Sequence, residues 1–357
     1  MKILCLMAVF FCLAGTAAGF APPPASPDGD LGALLSGDVL GREEGDRRRE
    51  ELRRRVMALV YQGRWQDAED EAWAFRLLPS STGGARERGE ELVVRAYVLS
   101  RRGQDAEARG AADRAAGILE GIGEREGLLR ALAVAIRASQ GMGDWNGSRE
   151  RLDRLQALAR AASSDYGASV GALEEGIWAY HRGNVPGAVA FWERAFSLGK
   201  NLDNPEIRGL AANHNARGRY LLGRLDEAQK WFDRALDEAR GAPWLEFVVR
   251  LNRAEFLAEG LFNSAGALGD LQRAEKLALS LDLGSGRLWA WNNLGTFFLA
   301  RGEYGKASEY LEKALDFQMG HDVPEDVGVL INGATLRQEL GQEAEADKLL
   351  RRALELA

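Results

Sequence analysis

From about residue 47 onward, apolar and polar positions follow a helical period, and the pattern itself repeats. A small residue recurs at Ala68, Ala108, Ser148, Ala188, Ala228, Ala267, Ala307 and Ala346, at successive spacings of 40, 40, 40, 40, 39, 40 and 39 residues. Four residues after each stand Ala72, Ala112, Leu152, Trp192, Phe232, Leu271, Leu311 and Leu350, and seven after it Phe75, Ala115, Leu155, Ala195, Ala235, Ala274, Ala314 and Ala353. Offsets of four and seven fall on one helical face. Five residues before each anchor come Gly63, Gly103, Gly143, Gly183, Gly223, Phe262, Gly302 and Gly341, a position read as a left-handed turn between helices. Each unit is then a first helix, a tight turn, and a second helix whose small residues allow close approach while a larger one fills the seam. A lone pair cannot bury that face, so stacked neighbours share a continuous core.

In the seventh unit the residues Trp291, Leu294, Gly295 and Phe298 lead to Gly302-Glu303-Tyr304, then Ala307, Leu311 and Ala314; the fifth offers Ala216, Gly223, Ala228, Phe232 and Ala235. This resembles the tetratricopeptide repeat (TPR). A closing proline is absent after Ala314, and the period of 39 to 40 exceeds the common one, so the chain is similar to longer variants whose helices carry up to an extra turn. The resemblance covers residues 47–357 and is strongest from the fourth unit on. It implies an all-α fold, an α-solenoid of about eight antiparallel helix-turn-helix repeats in a right-handed superhelix, with the first helices lining a concave groove.

Asn213, Asn252, Asn292 with Asn293, and Asn332 recur on the first helices of units five to eight. On the resemblance they form a ladder of amides along the groove. An amide both donates and accepts, which suits an extended peptide backbone. Arg217 and Thr296 lie one turn beyond Asn213 and Asn292, and His214 and Arg253 join the candidate set. The competing reading is that these asparagines cap or bridge neighbouring helices.

The amino terminus reads as an export signal over residues 1–19: Lys2, an apolar run from Ile3 to Leu13, then small residues to Gly19. An uncleaved anchor is the alternative. Both cysteines, Cys5 and Cys12, lie inside this segment, and Phe11 before Cys12 argues against lipidation. Residues 20–46, with Pro22, Pro23, Pro24 and Pro27, read as a flexible tether. The expected destination is the periplasm or the exterior, with no membrane span after signal cleavage.

The formal charge of −7 supplies no global basic field, so nucleic acid is a poor partner. His181, His214 and His321 are far apart in sequence, which disfavours a metal site, and no cofactor loop or strained nucleophile turn appears. Gly284-Ser285-Gly286 and Gly141-Met142-Gly143 read as turns. The adjacent acids Glu90-Glu91 and Glu174-Glu175 are expected on solvated surface, the stretch from Arg47 to Arg55 as a self-compensated helix, and most of the nine tryptophans in the core. Together these features point to a non-enzymatic, exported scaffold that binds a protein or extended peptide in its groove, in cell-envelope assembly. A helical sensor or carrier holding a small molecule against His214 and Arg217 is the alternative. The last helix is uncapped, with Leu349, Leu350 and Leu354 apolar, leaving end-to-end self-association open.

Overall fold

The computed structural model describes residues 42–78, 84–202, 204–320 and 325–356; the segment expected as a signal and most of that expected as a tether, with His321, lie outside the described residues. Sixteen α-helices run as eight consecutive pairs, with no strand among the described residues. These are α1 (Arg42–Tyr61) with α2 (Trp65–Ala72), α3 (Ala85–Arg101) with α4 (Asp105–Gly121), α5 (Arg125–Gly141) with α6 (Trp145–Ala162), and α7 (Asp165–His181) with α8 (Val185–Leu198). They continue as α9 (Pro205–Leu221) with α10 (Leu225–Glu238), α11 (Pro243–Glu255) with α12 (Ser264–Ser280), α13 (Gly284–Leu299) with α14 (Tyr304–Gly320), and α15 (Val327–Glu339) with α16 (Glu343–Leu356). Because α1 begins at Arg42, the tether boundary expected at residue 46 falls inside a helix.

Helix starts are set locally. The side chains of Asp144, Ser164, Asn184, Asn204, Asn263 and Asp326 accept first-turn backbone N–H groups, satisfying donors that have no partner within the helix. Pro186, Pro205 and Pro243 sit in first turns, where a missing N–H does no harm.

All eight intra-repeat turns pass through the left-handed region. The seven turn glycines have φ between 68° and 81°, and Phe262 adopts φ 52°. In that sixth repeat the first helix ends in a π-helical turn, Phe256–Gly260, and the Phe262 ring is 86% exposed. At Gly223 and Gly302 no atom lies within 4 Å of where a Cβ would stand, so a side chain there meets only conformational cost. Gly223→Val and Gly302→Val should each destabilise the fold by more than about 1 kcal/mol. Phe262→Gly should raise the melting temperature. Thermal unfolding followed by circular dichroism checks all three, and unchanged melting of the valine variants contradicts the assigned turn strain.

The seams close as the periodicity requires. All eight small anchors are fully buried, as are Phe232 and Leu311 between them. Glycines on the first helices admit the bulk: a Cβ at Gly176 would stand 2.2 Å from Trp192 Nε1, and one at Gly295 would stand 2.5 Å from Leu311 Cγ.

The solenoid winds back on itself. Trp65, after the first turn, donates its indole N–H to the Leu281 carbonyl at 2.9 Å, and Gly103 packs under Ser285. Helix α1 touches α11, and its Leu52 and Val56 share one apolar core with Phe247 and Phe256. Repeats one and two therefore rest against repeats six and seven, and the first helices face one another across the interior.

Candidate interaction face

The first helices of repeats two to six carry a buried charged network. Glu206, in the first turn of α9 and 3% exposed, accepts from Arg137 Nη1 at 2.7 Å and also from Arg101 and the Tyr97 hydroxyl. Arg137 Nε reaches Glu174 at 3.1 Å, and Gln140 Nε2 reaches the other oxygen of Glu174 at 3.0 Å. The Arg101 guanidinium lies 3.8 Å from the Trp244 ring centroid and 4.5 Å from that of Tyr97. Burial alone would raise Glu206, but Arg101 and Arg137 outweigh it and hold the carboxyl below its ordinary value. Burial likewise pushes the Tyr97 phenol up.

This network corrects the expectation of solvated acid pairs. Glu174 is fully buried, and Glu90 is buried against Arg130. Their neighbours Glu175 and Glu91 point elsewhere and pair with Arg149 and Arg76. A signal was present in the sequence: Glu90 and Arg130 are opposite charges one repeat period apart, in register on consecutive first helices. In α1 Arg53 and Arg54 pair with Glu50 and Arg55 with Glu71 of α2, while the buried Arg49 pairs with Asp46 and also reaches the buried Glu87 at 3.1 Å. Only Trp65 and Trp192 are fully buried; Trp73 is 48% exposed and the other six are half-buried at seams. Trp145, for example, stacks on the exposed His181 at 3.7 Å.

The asparagines pair with one another. Asn252 Nδ2 donates to Asn213 Oδ1 at 3.3 Å, and Asn332 Nδ2 donates to Asn292 Oδ1 at 2.9 Å. Both bonds join neighbouring first helices, which is the bridging alternative. Asn213, Asn252 and Asn293 are buried, and so is Thr296, whose hydroxyl donates to the carbonyls of its own helix. Arg253 is engaged by Asp270 of α12 through Nε and Nη2, at 2.6 and 2.9 Å. Burial or pairing thus holds these five residues largely within the packing of the first helices, with the buried Asn213 Nδ2 left without an acceptor.

Three candidates keep free capacity. Asn292 and Asn332 are half-buried, and their mutual bond leaves one amide donor group and one acceptor oxygen unused between them. Arg217 lies 5.9 Å from the Tyr180 ring centroid and forms no ion pair with the described residues. Beside it, burial raises Glu255 against the pull of Arg217, and Glu259 adds to the rise. His214 is half-buried and stacks on Trp192 at 5.1 Å; burial, Arg217 and Arg137 push it down to about 3, so the ring is neutral at pH 7. Among the described residues no group of three or more His, Cys, Asp or Glu is placed to hold a metal ion, and no helix is long and apolar enough to cross a membrane.

Residues 286–357 match the family model of the tetratricopeptide repeat. Similar solved structures include a Rap protein complexed with competence and sporulation factor, 17% identical, covering 76% of this chain and 77% of that one with a TM-score of 0.53. The Cut9–Hcn1 hetero-tetramer of the APC/C is 14% identical and covers 88% of this chain and 64% of its own, with a TM-score of 0.56. A signal-transduction ATPase with numerous domains and a tetratricopeptide repeat sensor, from Pyrococcus horikoshii, is 15% identical over 90% of this chain and 50% of that one, with a TM-score of 0.50. No curated protein matches. The last two repeats are matched in sequence, and the whole array shares the fold.

Proposed function

We propose that this tetratricopeptide-repeat solenoid is a non-catalytic scaffold that takes a protein or extended peptide segment against the inner face of repeats five to eight, in the cell envelope after export. The carrying observation is the division of the inner face. In repeats two to five the interior charges satisfy one another, whereas in repeats five to eight Arg217 and the Asn292–Asn332 pair keep hydrogen-bonding capacity unused. An extended backbone, with alternating carbonyl and N–H groups, complements an unused amide donor and acceptor. The Rap neighbour was solved with a bound factor, which supports a binding role for this fold. The order of Lys2, apolar run and small residues supports export.

The test is capture of partners from an envelope extract by the chain from residue 20 onward. Combined Arg217→Gln, Asn292→Ala and Asn332→Ala should reduce retention of the captured protein at least tenfold with helicity unchanged and only a modest loss in melting temperature; equal retention overturns the placement. Asn252→Ala is a stability variant instead. It deprives the buried Asn213 of its partner, at a cost of about 1–3 kcal/mol.

A further inference from the structure

We infer that the outer side of α7 is a second docking trough, shaped and charged for an acidic amphipathic helix of another protein. Two hollows of about 600 and 560 Å³ lie along α7 between α6 and α8, and Glu175 lines both. Their floor is made by Ala168, Gly171, Ala172 and Ala179, whose three- and four-residue spacings place them on one helical face. Small side chains there let a second backbone come close, and the half-buried Phe191 adds an apolar wall. Helix α7 has 17 residues, roughly 25 Å of length against which another helix could lie.

Charge selects the occupant. Arg160 from α6, Arg182 from the turn and Arg194 from α8 line the trough, are exposed, and form no ion pair with the described residues. Elsewhere in the chain most arginines are matched by acids. Of the two lining acids, Glu175 is already bound by Arg149 and Gln156, which leaves the exposed Asp165 as one acid against the three free arginines. The trough is thus locally cationic on a chain of net charge −7, and guanidinium–carboxylate pairs would both steer and orient an acidic helix. At one end the buried Trp178 Nε1 has no acceptor, a donor that a carboxylate of the incoming helix would satisfy.

A fluorescein-labelled 18-residue peptide, with glutamates flanking an alanine and leucine stripe, serves as probe for the chain from residue 20 onward. Anisotropy should show saturable binding that weakens at least tenfold in the Arg160→Glu, Arg182→Glu, Arg194→Glu triple variant, and also between about 50 and 500 mM salt. Melting of the triple variant should be unchanged, since all three side chains are exposed and unpaired. The Asn292→Ala, Asn332→Ala variant should bind the probe as the parent does, which separates this trough from the inner face. Absence of binding, equal binding by the triple variant, or equal binding of a lysine-for-glutamate peptide overturns the inference. Binding that appears only after Asp28, Asp30 and Asp38 are changed to Asn assigns the trough to the chain's own N-terminal segment and overturns it too.

Discussion

Replacing Glu206 by Ala should lower the unfolding free energy by about 3–5 kcal/mol, the range for stripping a buried ion pair of one partner. The loss is large because Glu206 of repeat five is the common acceptor for Arg101 and Tyr97 of repeat two and Arg137 of repeat three. Without it Arg137 keeps only Glu174 as an acid partner, and Arg101, whose side chain is 7% exposed, loses its ion pair. Urea unfolding measures the change, and a loss below about 1 kcal/mol would mean that the network is solvated or rearranges. The same site fixes an acid limb of stability. Because the Glu206 carboxyl is held below its ordinary 4.5 in the folded chain, its contribution is present above that value and is lost as pH falls through the folded one. His214, lowered from 6.5 to about 3, acts in the same direction: the unfolded chain takes up the proton first, so stability falls as pH drops from about 6.5 toward 3. Asp105, which burial raises to about 7, acts in the opposite direction over the same range and offsets the His214 limb, so the site is read from the difference between the two chains: Glu206→Ala should flatten the part of the stability curve below about 4.5 relative to the parent.

Trp65→Ala should cost about 3–5 kcal/mol through the cavity it leaves, and the damage should be regional. Trp65 is buried and its indole N–H is bonded to the Leu281 carbonyl, 216 residues away in sequence. It therefore pins the first repeat onto the junction between repeats six and seven. In a stacked array each unit depends chiefly on its neighbours, so the variant should speed amide exchange in α1, α2 and residues 281–285 while α14 to α16 stay protected. Trp65→Phe keeps most of the bulk and removes the donor, with an expected cost of about 1–3 kcal/mol. Uniform acceleration over all sixteen helices would contradict a local closure contact.

These two sites also mark where the sequence stops being legible. The repeat period, the helix pairs and the turns were readable because each depends on residues within about forty positions, and the left-handed φ at every turn glycine and at Phe262 follows the period. The contact from Trp65 to Leu281 has no local signature, since it is set by how far the superhelix turns per repeat. The burial of Glu206 was hidden for the same reason: an acid on a first helix looks solvated until helices 69 and 105 residues away arrive with arginines, whereas Glu174 meets Arg137 of the preceding first helix, 37 residues away. The amide spacing was visible, but the division of labour within it was not. Asn213 with Asn252 and Asn292 with Asn332 are equivalent in spacing, yet only the second pair stands half-open, because depth along the inner face varies from repeat to repeat.

The central claim is that a partner lies against the inner first helices of the last repeats, and site-specific photo-crosslinking tests it most directly. A photo-reactive phenylalanine is placed at position 335, on α15 one turn beyond Ile331 and its neighbour Asn332, and in a second chain at position 230, where Lys230 is exposed on the second helix α10. After incubation with the envelope extract and irradiation, the account predicts a covalent adduct to one protein from position 335 and none from position 230. An adduct from position 230 alone, or none from position 335, would contradict it.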